Sequence, residues 1–167
     1  MDKQQLEGKI ALVNGASRGI GEAIARGLAS GGATVILTSR SLEGVSAVAE
    51  SIESDGGSAV ALTCHAGKMD DIKALFARVD EQFGRLDILV NNAATNPYYG
   101  PAHGLGSDAF DKTVEVNLKG PYYMMSAAVP LMIANGGGSI VNISSILAQI
   151  VKPGQAVYSM TKAGLLS

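Results

Sequence analysis

The stretch from Lys9 to Gly21 reads KIALVNGASRGIG, and it decides the fold class. Its first half, Lys9–Asn14, holds a run of consecutive apolar residues. Because these residues follow one another without polar alternation, this half is typical of a strand that is buried on both faces of a sheet. The second half holds Gly15, Gly19 and Gly21, and this spacing predicts a tight turn that leads into a helix.

Each glycine of this turn has a separate physical role. Gly15 allows the sharp turn, Gly19 lets the backbone approach a ligand closely, and Gly21 lets the helix pack against the strand. Such a turn places a pyrophosphate at a helix N-terminus, where free N–H groups and the helix dipole favour anions. The residues predicted to bind a dinucleotide here are Gly15, Ser17, Arg18, Gly19, Ile20 and Gly21. An ordinary glycine-rich turn is the alternative that this stretch alone leaves open.

Short apolar runs alternate with stretches of helical periodicity along the rest of the chain. The predicted strands are residues 9–14, 34–38, 58–64, 86–91 and 139–144. The predicted helices are residues 20–30, 42–55, 70–83, 108–119, 122–135 and 156–167. Ser41 and Ser107 are expected N-caps, and Gly120-Pro121 is expected to interrupt the helical pattern. This alternation predicts an α/β fold with a doubly wound parallel sheet, which binds ligands beyond the C-terminal ends of its strands.

Composition excludes several classes of protein. The chain has 167 residues and a net charge of -2, with 47% apolar and 17% charged residues, and it is therefore not disordered. It lacks clustered Lys and Arg for nucleic acid, and no apolar run reaches the roughly 20 residues that span a bilayer. The single cysteine, Cys64, cannot form an internal disulfide or a structural zinc site, and Met1–Gly8 lacks the apolar stretch of a signal peptide. We expect a soluble, cytoplasmic domain without a metal, nucleic-acid or membrane partner.

Four motifs in order resemble those of the short-chain dehydrogenase/reductase family. The glycine turn resembles the family pattern T-G-x-x-x-G-x-G, with Asn14 in place of Thr, and the Asn side chain can still form a hydrogen bond there. The stretch Asn91–Ala94 resembles the N-N-A-G motif. Asn117 resembles the helical Asn of the family, and the set Ser145, Tyr158 and Lys162 resembles its S…Y-x-x-x-K motif. Within the family, the stretches CHAGKMDD and NAATNPYYG most resemble NADP-dependent carbonyl and retinal reductases of the peroxisomal type.

The end of the second strand indicates which nicotinamide cofactor is bound. NAD-binding folds usually place an acidic residue here for the ribose 2′-hydroxyl, but this strand ends in Thr38-Ser39-Arg40. Arg40, with Arg18 as a second cation, suits a 2′-phosphate, so we expect NADP(H) rather than NAD(H). Solvated surface charges are the alternative for both arginines. The resemblance adds Ser39, His65, Asn91, Ala93, Tyr158 and Lys162 as cofactor contacts, although many family members have Asp at the position of His65.

The resemblance also implies a catalytic set for hydride transfer between the nicotinamide and a carbonyl or alcohol substrate. Tyr158 would be the acid in reduction and the base in oxidation, although a free Tyr has a pKa of about 10. Lys162 lies one helical turn further on, and its ammonium favours the phenolate. By resemblance it also bonds the nicotinamide ribose. Ser145 would orient the substrate oxygen, and Asn117 would hold a water that links Lys162 to solvent.

The resemblance bears on domain organisation as well. We expect residues 1–167 to form a single dinucleotide-binding domain of the Rossmann type that is incomplete, because family domains have roughly 250 residues. The C-terminal strands and the segment that closes over the substrate would be missing. A homodimer or homotetramer acting on a small carbonyl or alcohol is implied. The alternatives are a naturally short, non-catalytic protein that binds a dinucleotide or acts by association, and a sugar-nucleotide epimerase, whose usual G-x-x-G-x-x-G pattern this chain lacks.

Overall fold

The fold is a layered arrangement of parallel strands and helices, seen in a computed structural model that describes residues 5–167. The strands are β1 (Ile10–Asn14), β2 (Thr34–Ser39), β3 (Ser58–Thr63), β4 (Ile88–Asn91) and β5 (Ser139–Asn142). The helices are α1 (Gly19–Ser30), α2 (Leu42–Ser54), α3 (Met69–Phe83), α4 (Ser107–Val114), α5 (Gly120–Ala134) and α6 (Ala156–Leu166). The strands form one parallel sheet in the order β3-β2-β1-β4-β5, which confirms the predicted α/β class.

The strand β1 lies at the centre of the sheet, as its apolar sequence predicts. Asn14 at its end pairs in register with Thr38 of β2 and with Asn91 of β4. Ala11 and Val13 on one face pack into a cluster with apolar side chains of α1 and α2. Leu12 on the other face packs with apolar side chains of α3 and α5. The two faces are therefore covered by different pairs of helices, which confirms the doubly wound arrangement.

Of the two predicted N-caps, Ser41 is confirmed in its position and Ser107 is wrong. Ser41 precedes α2, but its side chain makes no capping hydrogen bond. Instead the hydroxyl of Ser39 donates to the Ser41 carbonyl at 2.6 Å and accepts from the Ser41 N–H at 3.2 Å, which forms a local turn. Ser107 is the first residue within α4, and Gly106 occupies the cap position.

The predicted interruption at Gly120-Pro121 is also wrong. The helices α4 and α5 are joined without a break by one π-helical turn, Glu115–Lys119. Pro121 has no N–H to donate to Asn117 four residues earlier, and the π turn lies where that bond would form. Gly120 is required by packing, because a Cβ atom there would lie 2.2 Å from the Ala66 carbonyl oxygen.

Two strands are two residues shorter than predicted. The strand β4 begins at Ile88 rather than at residue 86, and β5 ends at Asn142 rather than at residue 144. The residue before β4 is Asp87, whose carboxylate accepts the Ile10 N–H at 2.9 Å. If the strand pairing continued, a backbone carbonyl would accept this N–H instead. No helix among residues 5–167 is long and apolar enough to cross a membrane.

Candidate active site

A cavity of about 300 Å³ opens at the C-terminal ends of β1 to β4. It brings together seven residues predicted to bind the cofactor: Gly15, Ser17, Arg18, Ser39, Arg40, His65 and Ala93. It is also lined by residues that were not predicted as cofactor contacts: Asn14, Cys64, Ala66, Asn92, Ala94, Thr95, Lys112 and Val116. Most of the second group directly follow a strand, so the rule that ligands bind beyond strand ends could have found them. No sequence signal indicates Lys112 and Val116, which lie on α4 and the π turn.

The glycine turn has the geometry that its spacing predicts. Gly15 has a φ of +74°, and a Cβ atom there would lie 2.8 Å from the Cα atom of Ala93. A Cβ atom on Gly21 would lie 2.2 Å from the Gly15 carbonyl oxygen, so only glycine lets α1 pack this closely. Gly19 has a φ of +62° and open space around its Cβ position. No side chain caps α1, so its first N–H groups have no side-chain capping partner.

The charges that line the cavity are all positive. Arg18, Arg40 and Lys112 line it, and no acidic side chain does. None of these three cations forms an ion pair with an acidic side chain among the described residues. Their charge is therefore available for an anionic ligand.

His65 is held in one orientation at the end of β3. Its ring Nδ1 accepts the Gly67 N–H at 3.1 Å, and its own N–H donates to the Asp71 carboxylate at 2.9 Å. Because Nδ1 accepts, a neutral His65 ring carries its proton on Nε2. Cys64 beside it is buried, and burial raises the pKa of its thiol to about 12, as expected for a core cysteine.

Tyr158 and Lys162 lie on one face of α6. The Lys162 Nζ lies 5.9 Å from the centroid of the Tyr158 ring. Lys162 is only 3% exposed, and its Nζ donates to the Ile143 carbonyl, just after β5, at 2.7 Å. Burial lowers the pKa of Lys162, because its ammonium is removed from water without an acidic partner among the described residues.

The loop after β5 contributes the two serines. The Ser144 hydroxyl donates to the backbone carbonyl of Lys162 at 3.1 Å, which fixes α6 to this loop. The Ser145 hydroxyl oxygen accepts the Leu147 N–H at 3.2 Å. Because that bond uses only a lone pair, the Ser145 hydroxyl keeps its hydrogen for a further acceptor.

The side chain of Asn117 is occupied by protein contacts. Its Oδ1 accepts the Thr95 N–H, and its Nδ2 donates to the Thr95 carbonyl, both at 2.8 Å. Nδ2 donates its second hydrogen to the Thr161 hydroxyl, with a donor–acceptor distance of 3.3 Å. Asn117 thus ties the loop after β4 to α6, and its amide has no hydrogen left for a water.

The loops after β4 and β5 are joined next to Tyr158. The Asn96 Nδ2 donates to Gln155 Oε1 at 2.5 Å, and the Gly100 N–H donates to the Gly154 carbonyl at 3.2 Å. Gln155 occupies the N-cap position of α6, three residues before Tyr158. These contacts fix the start of the helix that carries the predicted catalytic pair.

Six of the predicted cofactor contacts lie outside the cavity lining, as do the predicted catalytic residues Ser145 and Asn117, and one expected hydrogen bond is missing. Gly19, Ile20, Gly21, Asn91, Tyr158 and Lys162 do not line this cavity. Asn91 is buried and donates to Asn142 Oδ1 at 2.9 Å. The expected side-chain hydrogen bond of Asn14 is not found for Nδ2, which is buried without a partner among residues 5–167. Those residues also include no group of His, Cys, Asp or Glu placed to hold a metal ion.

The sequence of this chain is similar to those of known proteins. A family model described as short chain dehydrogenase matches residues 9–167. Human "Dehydrogenase/reductase SDR family member 4" is 40% identical over 164 residues, which are 98% of this chain and 59% of that protein. An "Uncharacterized oxidoreductase" of Thermotoga maritima is 42% identical over 160 residues, covering 96% of this chain and 62% of that protein. The chain thus spans less than two thirds of the length of these relatives.

Two solved structures share the fold. The crystal structure of a metagenomic short-chain oxidoreductase in complex with NADP has a TM-score of 0.93 and 43% identity, covering 96% of this chain and 73% of that one. A putative short-chain alcohol dehydrogenase from Sinorhizobium meliloti 1021 has a TM-score of 0.92 and 37% identity, covering 99% of this chain and 65% of that one. With the family match over most of its length, the chain belongs to the short-chain dehydrogenase/reductase family.

Proposed function

We propose that this chain belongs to an NADP(H)-dependent oxidoreductase that interconverts a carbonyl and an alcohol by hydride transfer. The observation that carries the proposal is the pair of Tyr158 and buried Lys162 on one face of α6, with the Lys162 Nζ 5.9 Å from the Tyr158 ring centroid. Ser145 follows the strand beside them. These three residue types supply a proton donor, a positive charge and an orienting hydroxyl.

The residues around the 300 Å³ cavity fit a phosphorylated dinucleotide. The uncapped start of α1 and the glycine turn suit a pyrophosphate. Arg40 and Arg18, with Ser17 and Ser39 beside them, suit a 2′-phosphate, and no acidic side chain lines the cavity to repel it. When bound, the nicotinamide cofactor supplies or accepts the hydride. The preference for NADP(H) over NAD(H) rests on these two arginines.

The chain's own residues handle the proton. Tyr158 donates its phenolic proton to the substrate oxygen in reduction and takes it back in oxidation. The Lys162 ammonium stabilises the phenolate, and it is fixed for this by the Ile143 carbonyl at 2.7 Å. Ser145, whose oxygen already accepts the Leu147 N–H, donates its hydrogen to the same substrate oxygen.

Asn117 acts chiefly as a positioning residue in this proposal. Its amide holds Thr95 and Thr161 in place, so the loop after β4 stays next to α6. A proton-relay water at Asn117 would bind to the remaining lone pair of Oδ1 or to the backbone carbonyl, because both hydrogens of Nδ2 are used.

The proposal extends to organisation and partners. We propose that residues 1–167 form one dinucleotide-binding domain of a cytoplasmic enzyme that acts on a small carbonyl or alcohol. A homodimer or homotetramer is supported by large apolar side chains exposed on α5 and α6. They are Val129, Ile133, Met160 and Leu166. Partner copies would cover these side chains in such an assembly.

The test is reduction of a panel of aldehydes and ketones by the protein expressed from its natural gene, followed by loss of NADPH absorbance. We expect turnover, and we expect Tyr158→Phe to lower kcat by about 100-fold or more because the proton donor is gone. The NADPH Kd should change less than about twofold, since one removed hydroxyl does not touch the phosphate contacts.

The matched control is Tyr122→Phe, since Tyr122 is 64% exposed on α5 and should leave kcat unchanged. Tyr158→Phe with more than half of the wild-type rate would contradict the assignment of the acid. NADPH binding without turnover of any carbonyl would contradict the proposed reaction and favour the non-catalytic alternative.

A further inference from the structure

A row of polar side chains crosses the sheet just below the cavity. Thr38, Asn14, Asn91 and Asn142 pair at one register level of β2, β1, β4 and β5. The residues two positions earlier in each strand are Ile36, Leu12, Leu89 and Ile140, and all four belong to the core under α3 and α5. Because side chains alternate along a strand, the polar row lies on this same face. It is the last level of the core before the strands end.

The half of the row next to β5 is hydrogen-bonded. The Asn91 Nδ2 donates to Asn142 Oδ1 at 2.9 Å, and the Asn142 Nδ2 contacts the Met125 sulfur at 3.6 Å. These bonds connect the edge strand β5 to its neighbour β4 and to α5.

The half of the row around β1 is not hydrogen-bonded within the protein. Asn14 Nδ2, Thr38 Oγ1 and Asn91 Oδ1 are buried and have no partner among residues 5–167. Asn14 and Asn91 are each 2% exposed, and Thr38 is 1% exposed. Buried polar groups in folded proteins are almost always hydrogen-bonded to protein or to ordered water. The two orphaned amide atoms on the adjacent strands β1 and β4, Asn14 Nδ2 and Asn91 Oδ1, therefore need an explanation.

The arrangement of donors and acceptors supplies one. Asn14 and Asn91 are in-register neighbours, so their side chains start about 5 Å apart. One presents an unused donor and the other an unused acceptor, yet no direct bond joins them. We infer that an internal water molecule binds between them, accepts from Asn14 Nδ2 and donates to Asn91 Oδ1. This water would have two protein partners, and two to four partners are typical of buried waters.

The cofactor cannot replace this water. Asn14 lines the cavity, but its Nδ2 is among the buried atoms and lies on the core side. A ligand in the cavity would therefore reach other atoms of Asn14. The site belongs to the sheet, and it is expected with and without a bound dinucleotide.

The water would complete a hydrogen-bonded row across the three strands β1, β4 and β5. The row ends at Asn142, and the next residue, Ile143, carries the carbonyl that holds the Lys162 Nζ.

The direct test is a crystal structure of this protein at about 1.5 Å or better, once without ligand and once with NADP. We expect in both a density peak within about 3.2 Å of Asn14 Nδ2 and of Asn91 Oδ1. A direct bond between the two amides, an empty gap, or a peak seen only with NADP would each overturn the inference.

A measurement in solution checks the same site. Magnetic relaxation dispersion of water oxygen-17 counts water molecules that reside long inside a protein. Asn14→Val should lower this count by one. The control is Thr113→Val, which removes another buried polar group whose hydroxyl donates to the Ala109 carbonyl at 2.6 Å, and it should leave the count unchanged. An unchanged count in folded Asn14→Val would contradict the inference, and the wild-type crystal structure decides it if that variant does not fold.

Discussion

Arg40 is the single residue on which the proposed cofactor preference most depends. It follows β2 directly, lines the cavity and forms no ion pair among the described residues. We expect Arg40→Asp to weaken NADPH binding by about 10-fold or more, because a charge-assisted bond is lost and a carboxylate faces the 2′-phosphate. NADH binding should weaken far less. The measurement is the ratio of the two Kd values by fluorescence titration.

The control for that change of charge is Arg78→Asp. Arg78 lies on an exposed position of α3, away from the residues that line the cavity. The Arg78→Asp variant should have the same ratio of Kd values for NADPH and NADH as the wild type. An unchanged ratio in Arg40→Asp would remove Arg40 from the proposal.

Asp87 stabilises the opposite end of the sheet from the cavity. Its carboxylate accepts bonds from Lys9, the Ile10 N–H, Arg85 and Asn135. Burial alone would raise the pKa of Asp87, but the bonds from Arg85, Ile10 and Lys9 together hold that pKa well below its usual range. A carboxylate with a depressed pKa contributes stability above its unfolded pKa of about 4, and this stability is lost as the pH falls below that value.

We therefore expect Asp87→Asn to lower the free energy of unfolding by about 2 kcal/mol at pH 7, because several charge-assisted bonds become weaker. The difference from the wild type should shrink as the pH falls from about 5 to 2, where the wild type loses the same contribution. Urea unfolding at several pH values measures the difference in the free energy of unfolding and its dependence on pH. Asp80→Asn, on an exposed position of α3, is the control and should show neither effect. A difference that stays constant with pH would refute the role of the charge.

At the scale of elements, the continuous run from α4 through the π turn into α5 depends on Gly120. A Cβ atom there would lie 2.2 Å from the Ala66 carbonyl oxygen and 3.2 Å from that of Glu115. We expect Gly120→Ala to lower the free energy of unfolding by about 1 to 3 kcal/mol, because backbone must shift to make room. Thermal unfolding followed by circular dichroism measures the change.

Gly27 provides the matched control, since it lies within α1 with nothing within 4 Å of its Cβ position. Gly27→Ala should raise stability by about 0.5 to 1 kcal/mol through helix propensity. The two substitutions are chemically identical, so opposite signs would identify packing as the cause. Equal effects would contradict the packing argument.

Elements were predictable where local sequence determines them. Each strand is an apolar run, so the strands could be predicted. The glycine turn could be predicted as well, because its spacing is needed only where one stretch of backbone approaches another closely. Helix ends were less predictable, because they depend on which side chain reaches which backbone group. Ser39, rather than Ser41, forms the turn before α2. Gly120-Pro121 looks like a break, yet contact with Ala66 shows why glycine lies inside a helix.

The candidate site was also predictable where topology or a motif determines its residues. Residues that follow strand ends could be placed by topology, and the motifs supplied Tyr158 and Lys162. Lys112 was missed because its place in the cavity depends on how α4 packs over the strand ends. The orphaned amide of Asn14 was missed because only the structure shows what surrounds its Nδ2.

At the scale of the whole molecule, the proposed ligand should stabilise the fold. A ligand that binds only the folded state adds about 2.7 kcal/mol at 100 times its Kd, which for this size is a rise in Tm of roughly 5 to 10 °C. We expect NADPH to produce this rise, and NADH at the same concentration to produce a smaller one. Differential scanning fluorimetry measures both. Equal rises would contradict the preference, and the absence of any rise would contradict dinucleotide binding.

The strand order also determines when the molecule can assemble during its synthesis. The central strand β1 meets β4 a long way along the chain, since the Ile10 N–H is bonded by Asp87, 77 positions later. At roughly 5–20 residues per second, a ribosome needs about 4 to 15 s to make that stretch. By then almost all of the core under α1 and α2 has been synthesised, because its buried members from Ala11 to Ala59 precede β4. On the opposite face of β1 and β2, α3 also precedes β4, but α5 follows it. That face is therefore incomplete until α5 has been synthesised, and in that interval it is the surface on which a nascent-chain chaperone would act.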